Sequence, residues 1–78
     1  MKAYILVKTE MAMTGEAFSL IQKAKGVVGA DVTFGPYDIV VQVESDSLED
    51  IAKAIVWEIR TVPGVLDTLT CVAVNVQG

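Results

Sequence analysis

Val27-Val28-Gly29-Ala30-Asp31-Val32-Thr33-Phe34-Gly35-Pro36-Tyr37-Asp38-Ile39-Val40-Val41-Gln42-Val43-Glu44 is the stretch on which the fold turns. Its outer parts are rich in β-favouring residues, and Gly35-Pro36 at its middle is turn chemistry that reverses a chain between two strands. Val27 to Phe34 therefore reads as one strand and Tyr37 to Glu44 as the next. The second alternates Tyr37, Ile39, Val41 and Val43 against Asp38, Val40, Gln42 and Glu44, the period of a strand with two unlike faces. A hairpin sits at the centre of the chain.

Helical periods flank the hairpin on both sides. Downstream, Ser47-Leu48-Glu49-Asp50 has the spacing of a capping box. Leu48, Ile51, Ala52, Ile55 and Ile59 then recur at helical period until Val62-Pro63-Gly64 stops the helix. Upstream, Thr14 is placed to cap a helix whose apolar positions are Ala17, Leu20, Ile21 and Ala24, with Lys23 and Lys25 near its end and Gly26 beyond. The outermost segments are strands. Lys2 to Lys8 is apolar on both faces, Ala3, Ile5 and Val7 on one and Tyr4 and Leu6 on the other, while Val65 to Val76 alternates Leu66, Thr68, Thr70, Val72 and Val74 with Val65, Asp67, Leu69, Cys71 and Ala73.

The order is βαββαβ. A faint internal repeat supports it, since Lys25-Gly26-Val27 and Pro63-Gly64-Val65 each pass from a helix through glycine to valine at the start of a return strand. Right-handed crossovers place both helices on one face of a four-stranded antiparallel sheet, an α+β arrangement of the split βαβ or ferredoxin-like type. The whole chain, residues 1–78, reads as a single domain.

Composition narrows the function. A chain of 78 residues has little stability in reserve, and with one cysteine and no histidine it has neither an intrachain disulfide nor the commonest zinc and copper ligands to add to it. Association with other copies is the remaining support. Two sequence features point the same way. Two helices cover only one face of the sheet, so Tyr4 and Leu6 need a further layer. Trp57, at about 100° per residue, falls opposite the stripe formed by Leu48, Ala52, Ile55 and Ile59. Single exposed aromatics need no partner, but tryptophan is enriched at the cores of interfaces, and Tyr4, Leu6 and Trp57 are the expected oligomer-contact residues.

A net charge of −4 with scattered Lys and Arg offers phosphates little, so direct nucleic-acid binding is not expected. No apolar run approaches the roughly 20 residues of a membrane span, and the short stretch after Lys2 lacks a cleavage site, so the expected location is the cytoplasm. The absence of histidine removes the usual general base, and no catalytic group, metal or cofactor is expected. Cys71 reads as a small hydrophobe buried in a strand, and Glu44, Asp46, Glu49 and Asp50 as a solvated helix start. Two clusters remain as candidates for binding. Gly35, Tyr37 and Asp38 set main-chain groups, a ring and a carboxylate at a sheet end, where a small zwitterion could use them; Thr68 and Thr70 share a face of the last strand. Turn formation, an internal bond to Asp38 and the strand preference of threonine explain the same residues without a ligand.

Gly35-Pro36-Tyr37-Asp38-Ile39-Val40-Val41-Gln42-Val43, the capped helix, and Val62-Pro63-Gly64-Val65 with Thr68 and Thr70 together resemble the effector-binding domain of the Lrp/AsnC family, the regulation of amino acid metabolism domain. The likeness runs through essentially the whole chain. It implies sheet-to-sheet dimers of the dimeric α/β-barrel type, assembly of dimers into rings such as octamers, and binding of an amino acid or similar effector at contacts between dimers. It maps the family's hairpin loop onto Gly35, Tyr37 and Asp38 and its polar last-strand positions onto Thr68 and Thr70. Full-length members carry an N-terminal helix-turn-helix domain, whereas residue 1 here already enters the first strand, so the resemblance is to the free-standing version, and it implies modulation of full-length Lrp/AsnC regulators through mixed assembly. A purely architectural partner without a ligand, and a small ferredoxin-like enzyme, are the rival expectations.

Overall fold

The computed structural model describes residues 1–76; Gln77 and Gly78, which the expected domain includes, lie outside the described residues. The chain forms β1 (Lys2–Thr9), a 3-10 turn (Met11–Met13), α1 (Thr14–Gln22), β2 (Val27–Val32), β3 (Ile39–Glu44), α2 (Leu48–Lys53) continued by a π-helical turn (Ala54–Ile59), and β4 (Val65–Val72). The strands lie in the order β2-β3-β1-β4, each antiparallel to its neighbours. This is the expected ferredoxin-like α+β fold.

Every second residue of β1 and β3 is buried, Ala3, Ile5, Val7 and Thr9 on one, Ile39, Val41 and Val43 on the other. They meet Ala17 and Ile21 of α1 and Ile51, Ile55 and Ile59 of the second helix in one cluster, so both helices cover the same face. Each fully buried Ile or Val contributes roughly 1.5–3 kcal/mol, and the central pair of strands supplies most of these side chains.

Both helices end as the repeated Gly-Val pairs suggest. Gly26 has φ 92° and Gly64 φ 93°, the left-handed conformation that turns a chain out of a helix. The two sites differ in room. A Cβ on Gly64 would lie 2.7 Å from Met13 Cβ, whereas one on Gly26 would meet its nearest neighbour, Val43 Cγ1, at 3.6 Å.

Each return strand then opens with a register shift. Val27 pairs with Val43 but Gly29 with Gln42, leaving Val28 as an extra residue; Thr9 pairs with Val65 but Lys8 with Asp67, leaving Leu66 over. The bulges turn Val27 and Val65 inward against the core while Val28 and Leu66 stay out, 57% and 63% exposed. Strict alternation along β4 assigns Val65 to the same face as Asp67 and Leu69, and the bulge reverses that assignment.

Four local expectations are corrected. Thr14 does not cap α1; the N-cap is Met13, and the Thr14 hydroxyl is drawn instead to Thr9 Oγ1, 2.6 Å away. In the second helix the buried stripe is Ile51, Ile55 and Ile59, and Leu48 and Ala52 are exposed. The wider π turn is the reason: in an α-helix a step of four residues drifts about 40°, and the i to i+5 bond from the Arg60 amide to the Ile55 carbonyl (2.9 Å) counters that drift. Strands are also shorter than expected. β2 stops at Val32 because the Thr33 hydroxyl donates to the Tyr37 carbonyl (2.9 Å), closing a wide loop, and β4 stops at Val72 because β1, its partner, begins at Lys2. Cys71, expected in the core, is exposed. Of the capping box at Ser47 one half forms: the Ser47 Oγ accepts from the Asp50 amide at 3.1 Å, and among the described residues the Asp50 carboxylate makes no return bond to the Ser47 amide.

Candidate functional site

The loop from Thr33 to Asp38 is held at both margins. The Thr33 amide donates to the Asp38 carbonyl, and the Asp38 amide to the Val7 carbonyl, both at 2.9 Å. Lys8 Nζ donates to the Pro36 carbonyl at 3.2 Å. Asp38 itself staples β1. Its Oδ2 accepts from the Thr9 amide at 2.7 Å and from the Thr9 hydroxyl at 3.2 Å. Since the Thr9 proton goes to the carboxylate, Thr14 is the donor in the short bond between the two hydroxyls. Thr9 is the one buried polar residue among those described, and this network satisfies it.

Asp38 is therefore committed to its own fold through Oδ2, while no hydrogen bond to Oδ1 is present among the described residues. Gly35 is exposed, lies outside the left-handed region, and has open space where a Cβ would project. Tyr37 is half-buried. Phe34 is fully exposed at the tip of the loop, although its sequence context reads as strand. A phenylalanine next to a glycine gives no signal in sequence that separates a strand end from a projecting loop.

Thr68 and Thr70 pair with Val7 and Ile5, whose side chains are in the core, so both threonines lie on the helix-covered side of β4. β4 is an edge strand; Thr68 is half-buried and Thr70 exposed. Val7 lies between the two clusters, bonded to the Asp38 amide on one side and paired with Thr68 on the other. Two strand spacings, about 10 Å, separate Asp38 from Thr68. The fold brings both clusters to one end of the sheet without joining them by a hydrogen bond.

The opposite sheet face is open. Leu6 pairs with Val40 on one side and Leu69 on the other, and Tyr4 with Gln42 and Cys71. Leu6 and Val40 are half-buried, and Leu69 is 48% exposed. Lys2 opposite Glu44 and Lys8 opposite Asp67 close the apolar band at its two ends with opposite charges. Trp57 projects outward from the π turn, 69% exposed. Tyr4, Leu6 and Trp57 thus lie on the surface of one chain, Trp57 on the helix layer and the other two on the open face. Val40, Leu69 and Cys71 join that face through register alone. Among the described residues no cluster of His, Cys, Asp or Glu could hold a metal ion, and no helix is long and apolar enough to cross a membrane.

The model of the Lrp/AsnC ligand binding domain matches residues 2–76. The chain belongs to this family. Among solved structures it is similar to FFRP-DM1, with 33% identity, a TM-score of 0.86, and coverage of 94% of this chain and 97% of that one. Protein PHS023 from Pyrococcus horikoshii is 32% identical, with a TM-score of 0.85 over 95% of this chain and 89% of its own. The transcriptional regulator NMB0573 from Neisseria meningitidis, solved as a complex with L-Met, shares the fold at a TM-score of 0.83 and 18% identity, over 99% of this chain and 51% of that one. No curated protein matches. The family is one of regulatory ligand-binding domains, not of enzymes.

Proposed function

We propose that this Lrp/AsnC domain binds an amino acid or similar small effector at contacts between copies of itself, through Gly35, Tyr37, Asp38, Thr68 and Thr70. The observation that carries the reading is the loop. Its backbone is fixed by internal bonds, yet its outer side offers a bare Phe34 and the empty space at Gly35. A rigid loop with an unpartnered aromatic tip suits a second chain closing over a ligand. The 10 Å gap between Asp38 and Thr68 suits a half-site that another copy completes. Family membership supports the ligand class, as does the L-Met held by NMB0573.

The copies would meet through the open sheet face around Tyr4, Leu6 and Leu69, in the dimeric α/β-barrel manner, with Trp57 available to a further contact that assembles dimers into a ring such as an octamer. The setting would be the cytoplasm, and the output modulation of Lrp/AsnC transcriptional regulators, with no nucleic acid bound directly. Calorimetric titration with the twenty amino acids tests the effector. Gly35→Val is the informative variant, because nothing in the chain itself occupies that space. Unchanged unfolding with lost binding is expected, and unchanged binding would remove the loop from the site. Thr70→Val probes the strand cluster in the same way.

An architectural role without effector has one observation in its favour: Asp38 already spends Oδ2 on Thr9. It predicts no heat with any amino acid and co-purification with a full-length regulator.

A further inference from the structure

At the other end of β3 from Asp38, roughly 17 Å along the strand at about 3.3 Å per residue, a cleft of about 350 Å³ opens beside the second helix. Its volume lies within the range of small-ligand sites, about 300–1,000 Å³. Buried Val43 and half-buried Ala54 make its apolar floor, exposed Trp57 a wall, and exposed Lys25, Asp50 and Glu58 its rim. The π turn shapes this place. It keeps Ile55 and Ile59 in the core while presenting Trp57 to the cleft, and such turns are frequent at functional sites.

The rim charges are unspent. The one ion pair among the described residues is Lys53 with Glu49; Lys25, Glu58 and the Asp50 carboxylate form none, and the Trp57 indole N–H has no acceptor. Groups of opposite sign line one cleft without neutralising each other. Lys53 is shared with Glu49, so Lys25 stands against Asp50 and Glu58, and a lining that carries both signs suits neither a phosphate nor a bare divalent cation. Its chemistry is that of a guest with both charges and an apolar arm.

We propose that the cleft is a second ligand site, separate from the loop of the proposed effector site, for an α-amino acid with an aliphatic or thioether side chain. Glu58 and Asp50 receive the ammonium, Lys25 and the indole N–H receive the carboxylate, and the side chain lies on Val43 and Ala54 against the Trp57 ring. The assignment shares no residue with the loop and stands without it.

Trp57 is the single tryptophan of the chain, so its emission reports on the cleft, and sedimentation at the same leucine concentration separates a ligand there from a change of assembly through the Trp57 contact; an emission shift that appears only with a change of assembly overturns the cleft. Titration of the whole protein with L-leucine is expected to shift the emission saturably. Leucinamide, which lacks the carboxylate, and 4-methylpentanoate, which lacks the ammonium, are expected to bind several-fold more weakly, the worth of one exposed charge pair each. Lys25→Met should weaken leucine and leave leucinamide unchanged; Glu58→Gln should weaken leucine and leave 4-methylpentanoate unchanged. A silent emission at millimolar leucine overturns the proposal, as does equal binding of all three compounds. Leucine heat abolished by Gly35→Val with silent emission would keep the loop site and discard the cleft, and the converse pattern would discard the loop.

Discussion

The two βαβ halves of this domain share a plan and differ in how each is fastened. Both helices leave through a left-handed glycine, and both return strands begin with an inward valine and a bulged residue, Val28 or Leu66. In the first half, the helix start is tied across the chain by Thr14, Thr9 and Asp38, so its entry depends on a loop 24 residues downstream. In the second half, the helix start is capped from within by Ser47, and the irregularity is displaced to the π turn at its other end. The comparison teaches that a repeated backbone can carry one tertiary fastening and one local one, and that only the tertiary one couples to the candidate loop.

Breaking the shared feature separates the halves most. Gly64→Ala is expected to be the most damaging substitution, because it adds a collision with Met13 to the cost of a side chain at φ 93°. Gly26→Ala bears the conformational cost alone, about 1–3 kcal/mol. Urea unfolding should show a lower midpoint for both, with Gly64→Ala clearly beyond Gly26→Ala; equal losses would mean that Met13 moves aside freely. Next in size are the fastenings. Asp38→Ala leaves the buried Thr9 amide without its acceptor and should cost about 1–3 kcal/mol, against about 1 kcal/mol for Ser47→Ala. Hydrogen exchange sharpens the contrast: Asp38→Ala should speed exchange at Thr9, and Ser47→Ala only around Asp50. Smallest is Lys53→Ala, which removes the exposed pair with Glu49 (3.6 Å) and should cost about 0.3–0.5 kcal/mol, an effect erased by salt.

Much of this architecture is legible in residue order. The hairpin at Gly35-Pro36, the two Gly-Val returns and the Ser47 cap are local signals, and the structure realises each of them. Misreadings arise where a distant partner competes with a local rule. Thr14 looks like a cap until Thr9 takes its hydroxyl, and Leu48 and Ala52 look buried until the π turn resets the helix face. The bulges at Val28 and Leu66 are invisible for a similar reason, since each arises from pairing and not from composition. Thr68 and Thr70 share a face by the period of a strand alone, but which face follows from the strand pairing. Phe34 and the cleft at Trp57 are products of tertiary placement: Lys25 and Trp57 are 32 positions apart and line one cleft only because the turn after α1 and the second helix come to the same end of β3.

The bulges also bear on how such a chain avoids fibrous aggregation. A filament grown edge to edge needs two strand edges that each accept a neighbour. At β2 the bulge leaves only Gly29 to Val32 in regular register, a short edge weakened by glycine and aspartate. The edge of β4 is longer and richer in β-formers, from Asp67 to Val72. With one edge guarded and one open, backbone pairing between copies is left with β4 against β4 across a two-fold axis. That contact closes on itself after two chains, so the asymmetry of two edge strands makes the sheet a poor template for polymerisation.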